Sequence, residues 1–200
     1  NFTPPTRPYG HELTVDGPRG KLYTVTDSME THGSGSIFSV NTTGGLPALN
    51  VFDDGIVTKP YQPAFMVYPA SAQNSIANDS TITVAFGTER FDQGNNFSGN
   101  TFTAPVTGKY QLNIALAWNQ LDTAASYYRV DINTSNDIYY NYLAPEFTGD
   151  TPDSFWYTMA HSVLADMDAG DTAWITVRTS DGDASADIKT ESYFSGYLVC

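Results

Sequence analysis

Thr101-Phe102-Thr103-Ala104-Pro105-Val106-Thr107-Gly108-Lys109-Tyr110-Gln111-Leu112-Asn113-Ile114-Ala115-Leu116-Ala117-Trp118 is the stretch that decides the fold of this chain. From Tyr110 on, Tyr110, Leu112, Ile114, Leu116 and Trp118 fall on one side, and Gln111, Asn113, Ala115 and Ala117 on the other. An extended backbone turns successive side chains to opposite faces, so this alternation predicts a long strand with one face in a core. The same period recurs in Ile82/Val84/Phe86, Tyr128/Val130/Ile132, Phe155/Tyr157/Met159 and Ala173/Ile175/Val177. Turn-forming clusters separate the runs: Asn95-Asn96, Thr148-Gly149-Asp150, Asp168-Ala169-Gly170-Asp171 and Asp181-Gly182-Asp183. No segment carries a 3.6-residue apolar stripe. About eight to ten strands at this spacing predict an all-β sandwich or jelly roll.

Composition agrees. Of 200 residues, 13 are Tyr and 11 are Phe, aromatics make up 14 %, and charged residues are only 16 %. Aromatic and β-branched side chains suit a pleated, half-buried surface. A chain of this length buries roughly 70 % of its unfolded surface, enough for a substantial core. The net charge is -13, with 9 Lys and Arg against 22 carboxylates. Phosphate contacts need cations, so the balance argues against nucleic acid and against anionic membranes. A single cysteine, Cys200, excludes an intrachain disulfide. No apolar run approaches the roughly 18 residues of a membrane span, so no membrane insertion is expected.

The first 60 residues read differently. Glu12–Gly17, Lys21–Ser28, Ser36–Thr43 and Leu49–Gly55 are short apolar units, each followed by a turn. Such a unit cannot bury its apolar side alone. Stacking the units, or wrapping them around copies from other chains, would bury it. Residues 1–60 are therefore expected to form a β-rich stalk. Lys59-Pro60-Tyr61-Gln62-Pro63 is the expected junction, because two prolines in four residues stop a ladder. Residues 61–200 would be the head.

The closing strand Tyr193-Phe194-Ser195-Gly196-Tyr197-Leu198, taken with Thr101–Tyr110, resembles two signature strands of the C1q-like domain of the C1q and tumour-necrosis-factor superfamily. The pattern continues in order with Pro63-Ala64-Phe65, Phe91–Phe97 and Gly170–Ile175, spanning Pro63 to Val199. The resemblance implies a ten-stranded jelly roll in a compact homotrimer, with both ends of the head at its base. Phe65, Phe102, Pro105, Gly108, Tyr110, Phe194 and Gly196 carry that signature. The long aromatic segment Asn133–Asp153 departs from a minimal domain, so no ligand contacts are carried over. Leu22–Ser28, Ile37–Asn41, Gly45-Leu46-Pro47 and Val51–Gly55 resemble the strand-turn units of phage and virion fibre proteins. Those proteins string such units ahead of a C-terminal head.

The residues offer little catalysis. His11, His32 and His161 form no ligand pair, and no nucleophile elbow or phosphate loop is present. His161 continues the Phe155/Tyr157/Met159 face and reads as a satisfied core or interface histidine. No cofactor is expected, although Asp166, Asp168 and Asp171 lie within six residues and could supply oxygens to calcium. Recognition points to Tyr139, Tyr140, Tyr142, Phe147 and Trp156, where rings can stack while their edges hydrogen-bond.

The sequence therefore favours a non-enzymatic virion fibre or spike protein. Its stalk would contact other virion proteins, and its trimeric head would attach to a host-surface glycan or protein. A secreted or surface-displayed module of cellular origin is the alternative. A polysaccharide depolymerase ranks behind both, because nothing selects one acid pair from the 22 carboxylates.

Overall fold

The computed structural model describes residues 16–17, 20–21, 36–45, 47–52, 54–145 and 156–200. The chain divides into two compact units, residues 1–61 and 62–200. Among the described residues there is no α-helix.

In the first unit, β1 (Asp16–Gly17) pairs with β2 (Gly20–Lys21). A separate antiparallel sheet runs β3 (Ser36–Asn41), β4 (Pro47–Phe52), β5 (Val57–Thr58). The expected units at Ser36–Thr43 and Leu49–Gly55 thus become neighbours in one sheet, with Ser39 opposite Asn50. Most of the two earlier units lies outside the described residues. Where exposure is described, no residue of the three-stranded sheet is buried.

The second unit is a sandwich of two antiparallel sheets. One runs β14 (Tyr157–Met167), β11 (Gly108–Asn119), β17 (Tyr193–Leu198), β6 (Ala64–Tyr68), β8 (Thr88–Gln93). The short β16 (Asp187–Ile188) extends the rank of β17 along β11. The other runs β13 (Ile138–Leu143), β12 (Tyr127–Thr134), β15 (Thr172–Ser180), β10 (Thr101–Thr103), β9 (Phe97–Ser98). Here β7 (Thr81–Thr83) shares the edge of β15 with β10. Twelve strand segments therefore fill ten ranks, five per sheet, which is the ten-stranded jelly roll expected.

Alternation decides which face turns inward. Tyr110, Leu112, Ile114, Leu116 and Trp118 of β11 are all buried, as are Tyr128, Val130 and Ile132 of β12 and Ala173, Ile175 and Val177 of β15. Phenylalanines tie the sheets together at one end. Phe65 stacks on Phe102 at 4.6 Å and meets Phe194 edge-on at 5.0 Å. Burying each such ring contributes about 1.5–3 kcal/mol. At the other end Trp118 packs edge-on against Tyr128 at 5.5 Å.

The signature glycines are required by close approach. A Cβ on Gly196 would lie 2.8 Å from both Leu112 Cδ2 and Phe65 Cε1. One on Gly108 would lie 2.5 Å from the Cys200 carbonyl oxygen. That closeness lets Lys109 N donate to Cys200 O and Val199 N to Lys109 O. Tyr110 Oη donates to Val106 O at 2.8 Å, so the buried phenol is satisfied. Pro105 sits exposed in the intervening turn. Leu198 N donates to Pro63 O at 3.0 Å, so the entering and leaving ends of this unit lie side by side.

Candidate functional site

The two sheets turn very different faces outward. Between Ala64 and Tyr68, Gln111 and Ala117, Thr158 and Leu164, and Tyr193 and Tyr197, the outward positions are Ala, Met, Tyr, Gln, Asn, Thr, Ser and Leu. None is charged, in a chain of net charge -13. The ion pair Lys109–Asp166 stands at the end of this face. Its centre is a shallow depression lined by Asn113, Ala160, Ser162, Tyr193 and Ser195. Gln111 Nε2 donates to Ser162 Oγ at 2.8 Å, and Ser162 Oγ to Asn113 Oδ1. The amides and hydroxyls thus partner one another and leave a flat, neutral surface. Met66, Phe91, Leu164 and Tyr197 add apolar area around it.

The opposite face is built on an ion pair. Arg129, Asp131 and Asn133 alternate with the buried Tyr128, Val130 and Ile132, so they point outward. Asp131 is nevertheless almost wholly covered, its side chain 2 % exposed. Arg129 closes over it with Nε 2.7 Å from Oδ1 and Nη2 2.9 Å from Oδ2. Thr176 Oγ1 donates to the same carboxylate at 3.1 Å, and Asn133 Nδ2 donates to Thr176 Oγ1 at 2.9 Å. Desolvation works against the guanidinium charge, but the bonds and charge of Asp131, aided by Tyr142, outweigh it and hold Arg129 above its ordinary range.

The aromatic candidates separate on this frame. Tyr140 and Tyr142 lie opposite Asp131 and Arg129 on the outward face, 49 % and 56 % exposed. The Arg129 guanidinium lies 4.7 Å from the Tyr140 ring centre and 5.7 Å from that of Tyr142. Tyr139 points the other way and packs against the core edge. It lines a polar pit with Asn136, Asp137, Asp166 and Asp168. Burial raises its phenol pKa, and Asp137 and Asp166 push the same way. Trp156 is exposed just before β14, and Phe147 lies outside the described residues.

The three aspartates have separate partners. Asp166 pairs with Lys109 and Asp168 accepts from Thr107. Asp171 accepts from the Asp168 backbone at 2.8 Å and from Asn136 at 2.6 Å, which lowers its pKa in that order of effect. These are turn-capping bonds. Among the described residues, no group of three His, Cys, Asp or Glu is placed to hold a metal ion. Other carboxylates are spent similarly: Asp92 caps Asn96 and Phe97, Asp122 caps Ala124 and Asp183, and buried Asp187 pairs with Lys189 at 2.7 Å.

His161 keeps the inward face of β14, opposite Ile114, but its buried Nε2 has no hydrogen-bond partner. It is therefore not the satisfied histidine expected. Desolvation lowers its pKa, and Asp131 partly opposes the shift.

Sequence reasoning missed Arg129 and Asp131. The available signal was opposite charge at i and i+2 on a predicted strand, which places both on one face. Asp187 and Lys189 repeat it.

One solved structure supports the fold. The globular domain of zebrafish complement 1qA protein is 17 % identical with a TM-score of 0.51, covering 70 % of this chain and 98 % of that one. Crystal structures of murine APRIL at pH 8.5 and pH 5.0 give TM-scores of 0.48 and 0.49, each at 10 % identity and covering 69 % of this chain and 99 % of theirs. No curated protein matches. The sequence pattern of the C1q domain matches residues 64–199, the whole of the sandwich from β6 to β17. The chain belongs to the C1q domain family.

Proposed function

We propose that this chain is a non-enzymatic binding protein whose head works as a homotrimer. The carrying observation is the uncharged outer face of the β14-β11-β17-β6 ranks. In a chain of net charge -13, solvent-facing positions would be expected to share the acidity. A flat neutral surface of small, amide and aromatic side chains suits burial against identical copies instead. Three heads so joined present three copies of the outer Tyr140/Tyr142 face, and weak sites then gain avidity.

Residues 1–60 are the stalk in this reading. The β3-β4-β5 sheet buries none of the residues whose exposure is described, which favours completion by neighbouring copies. The setting that joins such a stalk to such a head is the tip of a virion fibre, facing a host surface. Membership of the C1q domain family equally supports the same head as a secreted or surface-displayed module.

Light scattering on the full chain tests the reading. The expected mass is three times that of the chain, unchanged on dilution. A monomer overturns it. Negative-stain images then separate the settings, a knob on a thin projection marking the fibre and a bare knob the secreted module.

A further inference from the structure

We infer that the outer face of β12 and β13 is a binding site for a neutral saccharide, stacked on Tyr140 and Tyr142. The inference rests on the binding-head reading and names the ligand class for it.

The rings form a fixed row. Tyr142 meets Tyr127 edge-on at 5.3 Å and lies 6.1 Å from Tyr140. Arg129 braces Tyr140 and Tyr142, and Arg178 Nε donates to Tyr127 Oη at 3.2 Å. Rings held this way lose little freedom on binding. Their exposed faces offer the flat apolar surface that the C–H side of a pyranose stacks on, while phenol oxygens at the edges meet sugar hydroxyls.

Charge decides which saccharide. Both cations of the face already have partners: Arg129 holds Asp131, and Arg178 bonds to the Asp79 carbonyl at 2.9 Å and to Tyr127. Their charge is already offset by these partners, and the field of a chain at -13 repels a carboxylate or sulfate. A cationic ligand would meet the like charge of Arg129 over the same rings. A neutral polyol meets neither obstacle. The surroundings favour it over a protein partner. The cross-strand partners of the two rings are Asp131 and Arg129, so the rings border a charged pair. A protein hot spot needs a dry apolar surround, and a polar border beside exposed phenols suits a sugar.

The experiment uses the full chain on an array of neutral, sialylated and sulfated oligosaccharides, with light scattering on the same sample. The expected result is binding to one or more neutral oligosaccharides, insensitive to salt. The Y140A/Y142A double variant should bind about tenfold or more weakly, with mass and melting temperature unchanged. Salt-sensitive binding confined to the anionic glycans overturns the inference. Undiminished binding by the double variant overturns its placement. A trimer that binds no oligosaccharide overturns the saccharide and leaves the head reading standing with a protein ligand. A monomer fails the head reading itself.

Discussion

The two outward faces of the head handle charge in opposite ways. The β14-β11-β17-β6 face has none over its central positions, and its polar groups are amides and hydroxyls that bond to one another. The β13-β12-β15 face has an Arg–Asp pair at its centre, sunk so far that only the guanidinium and the rings above it meet solvent. Both faces are therefore locally neutral within a strongly acidic chain. One achieves neutrality by omission and is fit to be covered by another copy. The other achieves it by pairing and is fit to stay wet.

A charge swap breaks this comparison most directly. Ser195 lies at the centre of the uncharged face, and Thr83 lies exposed on the other. In the proposed trimer Ser195→Asp would bring one carboxylate from each copy to the junction, and the mass in light scattering should fall to that of a monomer. Thr83→Lys should leave the trimer intact. Equal effects from the two would mean that the faces do not differ in role.

The ion pairs give the next contrast. Asp131→Ala strands Arg129 over a vacated, buried position and should cost about 3 kcal/mol in denaturant unfolding. Asp166→Ala breaks the Lys109 pair at the end of the other face, where the two side chains are 45 % and 73 % exposed. Its cost should stay below about 1 kcal/mol. A large loss at Asp166 would show that exposure is a poor guide here.

The smallest effect sharpens the edge between the sheets. His161 has a folded pKa below its ordinary value because burial disfavours the imidazolium. Where the unfolded chain binds a proton that the folded one refuses, stability rises with pH. The contribution of His161 is thus fully present above the unfolded histidine pKa, about 6.5, and is lost progressively as pH falls from there through the lower folded pKa. Melting curves of wild type and His161→Gln should diverge on this count across that window. Parallel curves would mean that the imidazole is free to charge.

Much of this was legible in residue order, for a physical reason. In β11, β12 and β15 every second position is apolar or aromatic and most of those between are small or polar, so their period stands out. Gly108 and Gly196 could be recognised in a signature, but the reason for them, backbone and ring approaches under 3 Å, needed coordinates. The segment Ile138–Leu143 was harder. Tyrosine stands on both of its faces, and an amphipathic ring does not declare which side is inside. Hence Tyr139 reads in the sequence like Tyr140 and Tyr142, although it packs inward. The segments β9 and β16 are two residues long, too short for any period to register. The aspartates invited a metal reading because spacing alone cannot distinguish a ligand cluster from carboxylates that each cap a turn.

The bond from Leu198 N to Pro63 O carries a mechanical consequence. A pull on the chain before Pro63, in line with β6, loads a strand held between two antiparallel neighbours, β17 and β8. Tension in that direction shears the ladders. Their rungs then share the force, where a peeling pull would break them one at a time. The same strand carries Phe65, whose ring is wedged among Phe97, Phe102 and Phe194, so sliding β6 by one register would first have to lever that ring out of the core. Tension applied at Pro63 therefore meets a strand held along both edges and pinned by its own ring.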